Sequence, residues 1–434
     1  GDRLGHKRAF LAGVIVFITA STLAALAESG AWLITARAIQ GIGAAFMMPS
    51  TNALVTNAFP AQERGKALGI YIALATIFLV FGHLLGGFLS QVFSWRAVFW
   101  INFPIALISI ILAISSVPTW RRREKLNIDY LGFFISVIFI SGFVLGFMEA
   151  PNWGWTSLPI MGLFLLSIIS LITFIGWEKK IPHPLVELTL FKNLTFTTLF
   201  SVLLIIQAVA IVFVFLAIFL QNVLHYSPLM AGLLLLPAMV PIMLMAPVGG
   251  HLRDKYGPTL PMFCGALLVV LSLIWIAIFS HNRGYAWLFP GLLVYGIGMP
   301  LILSGIMATV MNMVNAQQRG MASAIFNCAR QFGNTIGLAL LTGLLASVNK
   351  WQLNSFLHHS PVPLSRLKEQ QIDGLLVQSD QAMKAIAHLS LAHIELLKTA
   401  ALNAYTNAFS MTLLAAAILA FLSLFLILKI PRKQ

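Results

Sequence analysis

Twelve predominantly apolar runs, each close to the ~20 residues that an α-helix needs to cross a ~30 Å hydrocarbon core, cover most of this chain. They lie near 9–28, 33–57, 66–91, 96–117, 129–148, 158–177, 195–220, 229–250, 260–280, 286–313, 321–347 and 405–429. Within a bilayer no water is at hand for backbone N–H and C=O groups, so such runs must satisfy them internally, as helices. The sequence therefore predicts an all-α polytopic membrane protein with twelve spans. Composition agrees: 59% of the 434 residues are hydrophobic and 9% are charged, against roughly 25% charged in soluble domains. A water-soluble globule is excluded. Cys264 and Cys328 both fall inside apolar runs, without metal-ligand spacing, and read as small packing residues.

The net charge of +14 would suggest a nucleic-acid partner in a soluble protein. Here the cations follow the loops. With the N-terminus on the cytoplasmic side, eighteen Lys and Arg fall in loops or tails on that side, and the short loops opposite hold only Arg96 and Arg283. By the positive-inside rule both termini of the chain are cytoplasmic, and nucleic acid is not a partner. A secretory signal competes for the first run, with Arg3, Lys7 and Arg8 ahead of it and Ala25-Leu26-Ala27 resembling a cleavage site. The loop motif discussed below accounts for those residues better. Residues of about 348–402 form one long external loop with helix-compatible stretches, read either as a lid or as an amphipathic segment resting on the membrane.

An internal repeat runs through the chain. AQERGKA at 61–67 matches AQQRGMA at 316–322 in five of seven positions, at an offset of 255, and the same offset lays Gly41-Ile42-Gly43 on Gly296-Ile297-Gly298. At an offset of 252, Asp2-Arg3-Leu4-Gly5 matches Asp254-Lys255-Tyr256-Gly257. Two halves of the same polarity are the trace of a secondary transporter built from parallel repeats. Two spans precede the second Asp-x-x-Gly loop and none precedes the first, so the first half is expected to lack two helices of a fourteen-span parent. The expected organisation is an incomplete N-terminal bundle at 1–117, a two-helix linker insertion with flanking cytoplasmic loops at 118–194, and a C-terminal six-helix bundle at 195–434.

On these residues the chain resembles the major facilitator superfamily, and within it the fourteen-span drug:proton antiporter family. The loop motif GxLxD(R/K)xG is present as Gly250, Leu252, Asp254, Lys255 and Gly257, with its second half as DRLGHKR at 2–8. LITARAIQGIGAA at 33–45 is similar to the family's fourth-helix motif LxxxRxxQGxGAA. The segment with Trp95, Arg96, Phe99, Asn102 and Pro104, and FLQNVLHYSPLMAGLLLLP at 219–237, also resemble fourteen-span members. The resemblance implies a major facilitator fold of two six-helix bundles with two extra linker helices, export of amphipathic drugs or toxic compounds, and proton antiport. It implies no cofactor; a periplasmic adaptor and an outer-membrane channel are candidate partners.

The motif residues allow definite chemistry. Asp2 and Asp254 each stand ahead of a span, where a carboxylate can cap a helix N-terminus. The resemblance gives the alternative, a gating latch made with Arg3, Gly5, Lys7, Arg8, Gly250, Lys255 and Gly257. Arg37 is expected to be buried mid-span beside Gln40; a cation there needs a cavity or a partner, and the resemblance assigns it to proton coupling. Snorkelling to the interface is the structural alternative. Asn327, Arg330, Gln331 and Asn334 fall on one helix face, read as lining a cavity or as an interhelical seam. Gly82, Gly86 and Gly87 form a GxxxGG pattern suited to tight helix crossing. In the family this is the fifth-helix motif GPxxGG; His83 replaces its proline and is either a packing residue or a titratable coupling group.

None of the thirteen acids is expected deep in a span. Proton-coupled export of a cation needs an intramembrane carboxylate; the family's usual acid lies in a first helix that the expected truncation removes. Three readings stay open: a drug exporter, an exporter of another substrate such as a lipid, siderophore or metabolite, or a non-transporting scaffold. No nucleophile–base pair, metal cluster or phosphate loop is present, so an enzyme is not expected.

Overall fold

The computed structural model describes residues 5–60, 71, 74, 78, 81–82, 84–116, 129–182, 184–314, 319–359 and 391–430. Among the described residues the regular structure is helical, without strands, and eleven helices are long and apolar enough to cross a membrane. Each matches one of the predicted runs. The remaining run, 66–91, lies largely outside the described residues, as do Asp2, Arg3 and His83.

The chain divides into two compact units, one of Gly1–Ile128 with Ser227–Leu236, the other of Asp129–Tyr226 with Pro237–Gln434. The first contains α1 (His6–Ala25), α2 (Gly30–Ala58), a helical stretch α3 at 84–92, α4 (Ala97–Trp100), α5 (Asn102–Ser116) and α10 (Pro228–Leu234). Ser29 caps α2, its hydroxyl accepting the Trp32 amide at 3.3 Å. Small residues on α1, among them Ala9, Gly13, Ala20 and Ala24, are buried and let α2 come close. Lipid is as apolar as Leu, so helix association in a membrane depends on such close packing. A Cβ on Gly13 would stand 2.8 Å from the Gly43 carbonyl oxygen, and one on Gly43 would stand 2.8 Å from that of Gly13.

The second unit contains α6 (Tyr130–Trp153), α7 (Leu158–Glu178), α8 (Leu194–Ala210), α9 (Val212–Asn222), α11 (Leu236–Tyr256), α12 (Thr259–Phe279), α13 (Tyr285–Met313), α14 (Arg319–His359) and α15 (Leu391–Leu428). Its α12–α13 hairpin repeats the α1–α2 contact. A Cβ on Gly265 would stand 2.6 Å from the Gly298 carbonyl oxygen, and one on Gly298 would stand 2.7 Å from that of Gly265. Gly265 follows Gly13 by 252 positions and Gly298 follows Gly43 by 255, the offsets of the two motif pairs. Gly5 (φ 87°) and Gly257 (φ 78°) likewise share the left-handed backbone that only glycine adopts without strain. The repeat is thus structural.

Helix α8 is the core of the second unit, with Phe196, Leu199, Val202 and Ile206 no more than 1% exposed. Helix α14 lies on it through Gly333 and Gly337, whose missing side chains make room for the Leu204 and Ala208 carbonyls. Phe219 of α9 stacks on Phe409 of α15 with centroids 4.4 Å apart. The α6–α7 hairpin rests on α14 through Phe139 and Phe332 and through Trp155, whose indole N–H donates to Ser347 Oγ at 3.0 Å.

Two expectations change here. Within the external loop expected at about 348–402, the described residues extend the adjacent spans: α14 runs to His359 and α15 starts at Leu391. Leu353, Leu397 and Ala401 are fully buried and Asn407 Nδ2 donates to Gln352 Oε1 at 3.0 Å, so helical packing continues where a loop was expected. Cys264 and Cys328 are exposed on the protein's surface and are not packing residues.

The paired glycines give a direct prediction. Gly43→Leu and Gly298→Leu should each lower stability by about 1–3 kcal/mol through overpacking, whereas Gly162→Leu, with nothing within 4 Å of its Cβ position, should not. Thermal unfolding of the purified variants, read by loss of monodisperse protein, checks this.

Candidate functional site

The first unit concentrates polar groups along α2 and the segment from Trp95 to Pro104. Arg37 Nη1 donates to Gln40 Oε1 at 2.6 Å, one helical turn on, and its guanidinium lies 5.9 Å from the centre of the Phe99 ring. Arg37 is exposed at the surface of the folded chain, in contrast to its expected burial; Gln40 is the buried member, 2% exposed. The i, i+3 spacing lets a long side chain on the open face reach back to an amide on the packed face. Because guanidinium only donates, this bond fixes the Gln40 amide with its oxygen towards Arg37. Gln40 Nε2 is then left buried without a partner.

The neighbouring segment is anchored on α1. Ser21 Oγ donates to the Phe99 carbonyl at 2.9 Å and accepts from Asn102 Nδ2 at 3.0 Å. Arg96 donates to the Ala27 carbonyl at 2.8 Å and lies 4.4 Å from the Trp95 ring centre. Phe99 is thereby held where Arg37 meets it. At the start of α1, Lys7 Nζ donates to the Ile114 carbonyl at 3.0 Å and Arg8 is exposed.

Other predicted residues are arranged differently from the expectation. Asp254 does not cap the following span: it lies in the last turn of α11, 64% exposed, and pairs with Arg253. A carboxylate is disfavoured at a helix C-terminus, and the adjacent guanidinium offsets that. Helix α12 begins at Thr259, with Pro258 at its N-cap and no side-chain cap. Lys255 Nζ lies 5.2 Å from the Tyr256 ring centre, and Gly250 makes no close approach. Among the described residues, only Gly87 of the GxxxGG pattern has the expected close contact, with its Cβ position 2.5 Å from the Pro228 carbonyl oxygen, and Gly82 and Gly86 have no described neighbour within 4 Å of theirs.

The α14 stripe is coherent. Arg330 and Gln331 are exposed and Asn327 and Asn334 half-buried, while Ala322, Phe326, Ala329, Gly333 and Gly337 are buried. The four polar residues therefore border the packing seam with α8, with Arg330 and Gln331 left outside it.

Residues 1–338 match the family model of the Major Facilitator Superfamily. The chain belongs to that superfamily. It is 32% identical over 368 residues to multidrug resistance protein Stp of Mycobacterium tuberculosis, covering 84% of this chain and 68% of that protein. It is 29% identical to the tetracenomycin C resistance and export protein of Streptomyces glaucescens, covering 80% and 65%, and 26% identical to the multidrug transporter protein MdtP of Bacillus subtilis, covering 98% and 82%. Among solved structures, a peptide transporter POT in complex with sulfate aligns over 99% of this chain and 82% of its own, with a TM-score of 0.62 and 14% identity. A bacterial homolog of the human lysosomal transporter Spinster, inward-facing and occupied, aligns over 98% and 82%, with a TM-score of 0.59 and 17% identity. These two likenesses establish the fold.

As a major facilitator, the chain has one position that the motif reading missed. Tyr295 precedes Gly296 as Gln40 precedes Gly41, 255 residues apart, and its hydroxyl, like Gln40 Nε2, is buried without a partner. Tyr295 is 2% exposed and its ring meets Phe213 edge-on at 4.8 Å. Each idle donor costs about 1–3 kcal/mol. Extending the Gly41–Gly296 match by one residue would have found it.

The Arg37–Gln40 bond should behave as one unit. In a double-mutant cycle of Arg37→Met and Gln40→Leu, the stability losses are expected to be non-additive by about 1.5–3 kcal/mol, the usual range for a hydrogen bond to a charged group. Additive losses in thermal unfolding would mean that the two side chains act separately.

Proposed function

We propose that this major facilitator exports drugs or other toxic amphipathic compounds across the cytoplasmic membrane, by alternating access and in exchange for protons. The observation that carries the reading is similarity over about four-fifths of the chain to proteins named for multidrug resistance and for export of tetracenomycin C. The 18-to-2 bias of Lys and Arg in loops supports cytoplasmic termini. Helix-packing glycines at repeat-equivalent places in both units support a cycle in which each unit keeps its internal packing.

Arg37 is the residue proposed for coupling. It carries a fixed positive charge within a span, held by one amide and one aromatic ring, and no acid pairs with it among the described residues. Such a charge is available to bias the protonation of a carboxylate or the entry of a cation. The polar stripe of α14 is proposed to face the transport pathway, since Arg330 and Gln331 stay exposed beside the α8 seam. The loop residues Asp2, Arg3, Gly5, Lys7 and Arg8, and Gly250, Asp254, Lys255 and Gly257, are proposed as gating elements at equivalent places in the repeat. The exposed Asp254–Arg253 pair supports this role, because a contact within one helix end can be exchanged for another at small cost.

The test is ethidium efflux from an efflux-deficient bacterial host expressing the protein, with and without an uncoupler. Export should stop when the proton gradient collapses, and Arg37→Ala should reduce it at least about tenfold while membrane insertion stays normal. Efflux that survives the uncoupler would remove proton coupling, and normal efflux by Arg37→Ala would remove Arg37 from the mechanism. The absence of any drug efflux by the unaltered protein would turn the assignment towards another substrate class.

A further inference from the structure

Glu178, at the end of α7, is the only buried acid among the described residues, 3% exposed. It meets Asp129, which caps α6. Asp129 Oδ1 accepts the Gly132 amide at 2.9 Å and the Trp177 indole N–H at 2.9 Å. Glu178 Oε2 accepts the Val186 amide at 3.0 Å, tying the loop after α7 to the hairpin. One oxygen of each carboxyl remains, and both Asp129 Oδ2 and Glu178 Oε1 are buried without a hydrogen-bond donor. They converge over Gly132, where a Cβ would run into Asp129 Oδ2 and stand 2.9 Å from Glu178 Oε1. Both free oxygens therefore border the same small space over Gly132.

Two ionised carboxylates cannot press bare oxygens together in a site closed to water; like charges sharing a site hold a proton between them. Among the described residues, the ionisable groups on the surrounding elements include Tyr130 and Glu149 on α6, Lys179, Lys180, Glu187 and Lys192 beyond α7, and Cys328, Arg330 and Lys350 on α14, which packs against α6. None supplies a donor to the two oxygens. Lys179 and Lys180 are exposed, and Glu187 accepts from Thr189. A divalent ion would need about six oxygen ligands, and the described residues contain no group of three His, Cys, Asp or Glu able to hold a metal. A proton is the ligand that two oxygens suffice to bind.

We propose that Asp129 and Glu178 form a proton-binding site in the linker hairpin, one proton bridging Asp129 Oδ2 and Glu178 Oε1. The proton is taken from water at the helix ends and returned to it, and no other reactant is required. With the proton in place, the carboxyl–carboxylate bond clasps the end of α7, and through Val186 the loop that follows, to the start of α6. When the proton leaves, the two negative charges repel and the clasp opens. In the unfolded chain both carboxyls are ionised near neutral pH, so the clasp stabilises the fold below the pH at which the pair releases its proton and is lost above it. This site stands independently of the drug-export reading.

The test is hydrogen–deuterium exchange at the Val186 amide in the full chain reconstituted in lipid, across a pH series. Glu178→Gln and Asp129→Asn each replace the proton by a permanent N–H donor while keeping an oxygen for the existing bonds. Relative to either variant at the same pH, protection in the unaltered protein should fall by up to about tenfold per pH unit as the pH rises from the ordinary carboxylate range to the release point, and level off above it. The two variants should remain protected throughout. Equal protection of all three proteins at every pH would overturn the proposal, and so would loss of protection in both variants at acid pH. Recovery of protection at alkaline pH on adding sodium or potassium would also overturn it, since the occupant would then be a cation.

Discussion

In a hydrocarbon environment the backbone must satisfy its own hydrogen bonds, and helices so formed gain little by burying apolar side chains against each other. What holds such helices together is close approach. Here that approach is made by glycines placed so that the carbonyl of each occupies the space a side chain on the other would fill. The Gly13–Gly43 contact joins α1 to α2 and the Gly265–Gly298 contact joins α12 to α13. A carbonyl oxygen seated at such a distance leaves no space for even a methyl group, which makes these contacts sensitive to any substitution of the glycine.

The same constraint governs where polar groups go. Small residues on one face of a helix consume that face for packing, and polar residues are displaced to another. On α14, Gly333 and Gly337 lie against α8, and Arg330 and Gln331 are left outside that seam. On α2, Gly43 packs on α1 while Arg37 extends over Phe99 and satisfies itself on Gln40. Polar function and helix packing are therefore not independent. Moving a packing glycine by one position would rotate the polar stripe by about 100°.

The spans, the all-helical fold and the repeat were legible in the sequence because each rests on a local pattern: apolar length, or identity at a fixed offset. Residue-level contacts were less legible. Gly82, Gly86 and Gly87 spell one packing motif, yet among the described residues only Gly87 has a partner, because the spelling does not state where the neighbouring helix passes. Asp254 reads as a cap for the next helix, yet α11 continues past it to Tyr256, and the carboxylate finds Arg253 instead. The stretches around Leu353 and Leu397 fall outside the twelve apolar runs and read as parts of an external loop with helix-compatible segments, whereas in the fold they continue α14 and α15 and pack there.

The acids show the limit of position in sequence most clearly. Asp129 and Glu178 each lie at the edge of an apolar run, a place where carboxylates are normally solvated, and nothing in either run marks them as special. Folding the α6–α7 hairpin places the first residue of one run beside the last of the other, and Gly132 removes the side chain that would have separated them. Three donors from Gly132, Trp177 and Val186 then occupy two of the four carboxyl oxygens and leave the inner two facing. Burial at a helix end thus depends on the pairing of ends rather than on depth in a span. In a chain so poor in acids, the few carboxylates brought together by hairpin geometry are the places to look for a held proton.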